Sequence, residues 1–231
     1  MRSLTQIPSQ DDLVVVAGSF ASAGSLPCQS VCTWNIKTKQ WSALGSGIRG
    51  EVSTVVYAGN KLDTMLVGGS IQLADNTASN VAAYSVSNST WSAVGGGQNI
   101  PGPVTALEVN NGNASSVFAA GKSTDGASTF LIRYDGAAWQ PIDLPLSADS
   151  SVAQLAMVPL TDEHAENSFI QKDRMLWLSG AFSSTQFGNA SSVLYDGTSF
   201  YPYLAATRAD GSPGYVASMF RSFTARAITV A

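Results

Sequence analysis

An all-β fold of kelch-like β-propeller blades, about four repeats of four strands each, is what the sequence predicts, and three observations carry it. Runs of small residues close apolar strands at Val16-Ala17-Gly18, Val67-Gly68-Gly69, Ala119-Ala120-Gly121 and Leu178-Ser179-Gly180. An aromatic residue follows each run, at Trp41, Trp91, Trp139 and, more loosely, Phe200, giving a period of about 50 residues, the length of one four-stranded blade. Asp135-Gly136 and Asp196-Gly197 recur as turn signals before the last strand of their repeats.

The repeats span approximately residues 13–48, 50–97, 102–146 and 150–205. In the first, Leu13 to Phe20, Val31 to Ile36 and Gln40 to Leu44 supply second, third and fourth strands, so its first strand is expected to precede Met1. In the second, the strands are Val52 to Ala58, Thr64 to Ile71, Val81 to Val86 and Thr90 to Val94. The third copies it with Val104 to Val109, Ser116 to Gly121, Phe130 to Tyr134 and Ala138 to Ile142. The fourth uses Val152 to Pro159, Met175 to Phe182, Val193 to Tyr195 and Ser199 to Tyr203. Residues 214–231 form a terminal strand or tail, in which Gly214 to Phe220 resembles the opening strands at Val104 and Val152. Such a strand closes a ring by completing the first blade; the alternative is an open slice of a larger propeller. Long insertions at Thr161 to Asp173 and Gln72 to Asn80 are places for binding specificity or simply tolerated loops.

Composition narrows the function classes. Charged residues are only 12% of the 231, and the net charge is −4, with Lys and Arg never clustered, so a nucleic-acid partner is excluded. The two cysteines, Cys28 and Cys32, lie close enough for a local disulfide. Zinc would need two more ligands, and the single histidine, His164, is far away in sequence. Three sequons, at Asn88, Asn113 and Asn189, fall in predicted turns or strand edges where a glycan is tolerated. Together these features lean extracytoplasmic. The first residues lack the apolar stretch of a signal peptide and no stretch reaches transmembrane length, so the chain reads as a fragment of a secreted-looking protein.

Candidate chemistry is sparse. Asp162-Glu163-His164-Ala165-Glu166 sets carboxylates beside an imidazole, but neighbouring residues in a polar loop point in different directions, so a solvated loop is expected. A copper site of the galactose-oxidase kind needs more than one histidine. The turn around Asp125-Gly126 resembles a sialidase Asp-box with its glycine one place early, and Arg133 and Arg174 are isolated rather than part of an arginine trio. There is no Gly-x-Ser-x-Gly elbow, phosphate-binding loop or dinucleotide fingerprint. No catalytic residue, metal or cofactor is therefore expected. Trp34, Trp41, Trp91, Trp139 and Trp177 are assigned to packing, and Tyr201-Pro202-Tyr203 is a candidate surface patch.

The strings Val16-Ala17-Gly18-Ser19-Phe20, Cys28-x-x-x-Cys32-x-Trp34 and Gln40-Trp41-Ser42-Ala43-Leu44-Gly45-Ser46-Gly47-Ile48 resemble the C-terminal part of a fungal family, the cortical protein marker for cell polarity. Ile100-Pro101-Gly102-Pro103-Val104-Thr105-Ala106-Leu107, Phe187-Gly188-Asn189-Ala190-Ser191-Ser192, Leu194-Tyr195-Asp196-Gly197 and Tyr201-Pro202-Tyr203 extend the likeness over almost the whole chain. The resemblance implies a large glycosylated ectodomain of propeller repeats anchored by one C-terminal helix, a bud-site or hyphal-tip landmark acting with a partner membrane protein and without enzyme activity. This chain lacks the signal peptide, upstream repeats and anchor, so membrane attachment would run through a segment absent from it. The leading expectation is a non-catalytic extracellular interaction module that contacts protein or cell-wall glycans. A secreted carbohydrate-binding or glycan-processing propeller, and a cytosolic kelch-type adaptor with free thiols, are the alternatives.

Overall fold

The computed structural model describes residues 2–8 and 10–217. Four antiparallel sheets of four strands follow one another along the chain. Blade 1 consists of β1 (Ser3–Ile7), β2 (Gln10–Ala17), β5 (Val31–Asn35) and β6 (Gln40–Ala43), with a small hairpin, β3 (Ser22–Ala23) and β4 (Leu26–Pro27), inserted after β2. Blade 2 is β7 (Ile48–Ala58), β8 (Thr64–Leu73), β9 (Val81–Ser85) and β10 (Thr90–Ala93). Blade 3 is β11 (Val104–Val109), β12 (Val117–Lys122), β13 (Thr129–Tyr134) and β14 (Trp139–Ile142). Blade 4 is β15 (Ser151–Pro159), β16 (Arg174–Ser184), β17 (Gly188–Tyr195) and β18 (Phe200–Leu204).

Apolar clusters sit between consecutive blades, and this explains the sequence pattern. Val117 and Ala119 of β12 pack toward blade 2, while Phe118 and Ala120 pack toward blade 4. A strand covered on both faces reads as a continuous apolar run instead of an alternating one. Blades 1 and 2 share a comparable cluster around Val15, Val31, Met65 and Val67.

The small-residue markers have a steric cause. In blades 2, 3 and 4 the first strand shifts register at Val52/Thr54, Val104/Ala106 and Val152/Gln154, a bulge that turns a carbonyl onto the second strand. A Cβ on Gly121 would lie 2.0 Å from the Pro103 carbonyl oxygen, and Gly69 and Gly180 face Glu51 and Ser151 at the same distance.

Aromatic pairs and indole hydrogen bonds repeat with the blades. Trp34 pairs with Trp41, Tyr84 with Trp91, Tyr134 with Trp139 and Tyr195 with Phe200, each across the third and fourth strands. The Trp91 indole donates to the Leu44 carbonyl of blade 1 at 2.8 Å, and Trp139 donates to Val94 of blade 2 at 3.1 Å. Phe200 keeps the ring but has no N–H to reach back to blade 3. The assignment of tryptophans to packing agrees with this: Trp139 is 2% exposed, and Trp34, Trp41, Trp91 and Trp177 are half-buried in ring or cluster contacts.

Blade 1 corrects the expectation of a missing first strand. Ser3–Ile7 pairs with β2, Leu4 opposite Val16, so the first repeat begins within this chain. Its sequence alternates instead of running apolar because only one face is covered; Leu4 is 61% exposed. β1 occupies the first-strand position that the closing strand was expected to fill. Residues 214–217 are not a strand. The Val216 amide donates to Gly180 O at 2.9 Å, repeating the bond from the Val52 amide to Gly18 O at 3.1 Å. Val216 thus lies against blade 4 as blade 2's first strand lies against blade 1, while residues 218–231 fall outside the described part.

Cys28 and Cys32 are joined in a disulfide. It is buried with Phe20, Leu26 and Trp41 beside the inserted hairpin. Bridging residues four apart removes entropy from a short loop only, worth about 2 kcal/mol. The double variant Cys28→Ser, Cys32→Ser is expected to lower the unfolding free energy in urea by that amount, and a loss below about 0.5 kcal/mol in equilibrium unfolding would show the bridge to be incidental.

Candidate functional site

The best-built recess is a cleft of about 720 Å3 between blade 3 and the long insertion of blade 4. The insertion, between β15 and β16, is irregular but pinned at several points. Ile170, 2% exposed, enters the cluster shared by blades 3 and 4. The Asn167 side chain accepts from the Phe169 and Ile170 amides at 2.8 and 3.0 Å and donates to Asp196 O at 2.8 Å. That contact requires Gly197, whose φ is 105° and whose absent Cβ would fall 2.3 Å from Asn167 Oδ1. The Asp-Gly turn legible in the sequence is therefore also the dock for the insertion.

The turn itself is held by Asp196. Its Oδ1 accepts from the amides of Thr198 and Ser199 at 2.7 Å, and Oδ2 accepts from Tyr201 at 3.0 Å. Burial pushes this carboxyl up, but the hydrogen bonds from Ser199, Thr198 and Tyr201 outweigh it and hold it below the usual range. Burial, aided by the neighbouring Asp196 charge, pushes the Tyr195 phenol up to about 12.

The acidic cluster singled out in the sequence splits. His164 is tied to backbone, Nδ1 against Ala165 O at 2.7 Å and Nε2 against Arg174 O at 2.8 Å. Glu163 pairs with Lys172 at 2.8 Å in solvent, and that carboxylate's hydrogen bond and charge raise the Lys172 pKa. Among the described residues no group of three or more His, Cys, Asp or Glu is placed to hold a metal ion. Glu163 and Glu166 line the cleft, with Asp135 and Asp173 as further carboxylates and Arg133 and Lys172 as the cations.

Two buried polar atoms of residues that line the cleft lack partners. Asn110, 6% exposed, donates through Nδ2 to Phe169 O at 3.2 Å and Ser116 Oγ at 3.3 Å. Phe169 O can only accept, which fixes the amide orientation and leaves Oδ1 as the unpaired atom. Arg133, also of the lining, lays its guanidinium over the Phe169 ring, Cζ 5.2 Å from the centroid, with Nε buried and unpaired. Asn110 and Phe169 carried no signal in the sequence, and Arg133 stood out only as an isolated cation.

The sequons occupy different settings. Asn88 and Asn113 are on exposed turns, and Asn113 also lines the cleft with its Oδ1 accepting from the Ser115 amide at 2.9 Å. Asn189 is inside β17, donating to Gly211 O at 3.1 Å, and Ser191 of its sequon is buried. Tyr201 and Tyr203 are 38% and 49% exposed, the latter edge-on to Trp177. A second recess runs along the first strands of all four blades and includes Ala217; at its rim Arg2 pairs with Glu51 at 2.6 Å. No helix among the described residues is long and apolar enough to cross a membrane, which does not bear on strand-built spans.

Comparison with known proteins supplies the family. Polarized growth protein L1 of a Phoma species is 34% identical over 223 residues, covering 94% of this chain and 16% of that protein. Polarized growth protein RAX2 of Candida albicans is 22% identical over 200 residues, covering 83% of this chain and 14% of its own length. The chain thus spans about one-sixth or less of these relatives. Among solved structures an ancestral GH74 enzyme aligns with a TM-score of 0.49 and 11% identity, over 87% of this chain and 31% of that one, a likeness too distant to bear on chemistry. Residues 1–229 match the model of the Rax2 C-terminal beta propeller domain, in accord with the four sheets and their bulged first strands, and the chain belongs to that family.

Proposed function

We propose that this chain is a non-catalytic, extracellular interaction module of a fungal polarity landmark, acting at a bud site, division site or hyphal tip through contacts with a partner membrane protein or the cell wall. The observation that carries the reading is the 34% identity to a polarized growth protein across nearly the whole chain. The buried Cys28–Cys32 bridge supports the extracellular side, because disulfides persist in oxidising compartments, and it counts against a cytosolic adaptor with free thiols. Both ring nitrogens of His164 face backbone carbonyls, of which a neutral imidazole can donate to one, so the backbone orients the ring.

The test places an epitope in the exposed turn at Asp125-Gly126 of the full-length gene product and stains intact and permeabilised fungal cells. Staining of intact cells confined to poles or tips is the expected result. Signal only after permeabilisation would overturn the extracellular placement, and uniform surface signal would overturn the landmark.

A further inference from the structure

We propose that the cleft between blade 3 and the blade 4 insertion binds a neutral, hydroxyl-rich saccharide, with Asn110 Oδ1 accepting from one hydroxyl and Arg133 Nε donating to another. The proposal rests on reading the chain as an interaction module and assigns that module its ligand chemistry.

The unpaired atoms define what fits. A buried acceptor or donor left unsatisfied costs about 1–3 kcal/mol, so a ligand that satisfies both recovers a cost present in the empty protein. Asn110 offers only an acceptor and Arg133 only a donor. A carboxylate or phosphate would answer Arg133 but has no proton for Asn110, and it would meet the carboxylates of Asp135, Glu163, Glu166 and Asp173. A metal ion or ammonium group is drawn by those carboxylates and answers Asn110, but it has no lone pair to accept from Arg133. A hydroxyl both donates and accepts, and two neighbouring sugar hydroxyls answer both atoms without net charge.

The lining agrees. Besides the charged groups, amides and hydroxyls such as Asn113, Ser115, Asn167 and Gln171 dominate, with Phe169 and Ile170 as the apolar contribution. A peptide would need apolar recesses for its side chains or a free strand edge, and a saccharide needs neither. The volume of about 720 Å3 falls within the roughly 300–1,000 Å3 of pockets that enclose a small ligand. Both unpaired atoms are sealed from water and the half-buried Phe169 ring lies over the guanidinium, so the proposal requires that ring to move aside as the ligand enters. Binding is thereby coupled to the insertion.

The full purified chain is titrated by calorimetry with the tetrasaccharides of β-1,3-glucan, chitin and mannan as neutral probes, and with tetragalacturonate and chitosan tetramer as charged ones. At least one neutral probe is expected to bind, at least tenfold tighter than either charged probe. Arg133→Gln, with an unchanged melting temperature, is expected to weaken it at least tenfold. If that variant does not fold, the Asn110 side-chain amide resonance of the wild type reports occupancy, and it shifts on saturation if the proposal holds. No binding of any neutral probe by folded chain, equal binding by Arg133→Gln, tighter binding of a charged probe, or an unmoved Asn110 amide each overturns it. The polarity reading is tested separately in cells, so a failure of saccharide binding leaves it standing, and mislocalisation with intact binding removes it alone.

Discussion

Gly121→Ala is expected to destabilise the protein by about 3 kcal/mol or to prevent folding, the upper range for overpacking a tight site. The added Cβ would lie 2.0 Å from the Pro103 carbonyl oxygen and 2.9 Å from the Phe130 ring. The first contact is with backbone, so no side-chain rotation relieves it. Relief requires pulling β11 away from β12, and β11 carries Val104, Leu107 and Val109 into the cluster shared with blade 2. Gly126→Ala is the matched control. Its φ is 71° but nothing lies within 4 Å of the added atom, so only the backbone conformation is penalised, at about 1 kcal/mol. Urea unfolding of the two variants separates crowding from conformation. A Gly121→Ala protein as stable as Gly126→Ala would mean that the bulge relaxes freely, and the steric account of the small-residue markers would fail.

Trp139→Ala is expected to cost about 3–5 kcal/mol, the range for deleting a buried aromatic. It removes a side chain that is 2% exposed, its tilted contact with Tyr134 at 5.3 Å, and the hydrogen bond that covers the Val94 carbonyl. Trp139→Phe separates these contributions, retaining the ring and losing the donor, for about 1 kcal/mol plus a small packing loss. Blade 4 carries that substitution already: Phe200 stacks on Tyr195 at 4.4 Å and makes no indole bond to the preceding blade. Chemical unfolding followed by tryptophan fluorescence and by far-UV circular dichroism measures both variants. A Trp139→Phe protein as unstable as Trp139→Ala would place the dominant contribution in the inter-blade hydrogen bond rather than in the ring.

These two positions show why the blades were legible. Gly121 and Trp139 answer to contacts that recur from blade to blade, a bulged first strand against the second in blades 2 to 4 and a fourth-strand aromatic against the third strand in all four. Repeated contacts leave repeated residues, and the period follows. β1 escaped because it is short, alternating and covered on one face, so Ser3–Ile7 has no apolar run to mark it. The Asp196-Gly197 turn was read correctly as a turn, but its second role as the dock for Asn167 involves a partner 29 residues away.

The sequence by itself determined the all-β repeat architecture, the strands of blades 2 to 4, the two turn motifs, the cysteine pair and the family likeness. These rest on local periodicity and on strings of adjacent residues. Only the tertiary structure decided that the first blade is complete, that the backbone orients the His164 ring, and that Asn110, Arg133 and Phe169 meet in one cleft. Asn110 and Phe169 are 59 residues apart and belong to different blades. Each repeat packs its own strands by a shared rule, whereas the cleft arises where a non-repeated insertion folds back on a neighbour, and no periodic signal records that meeting.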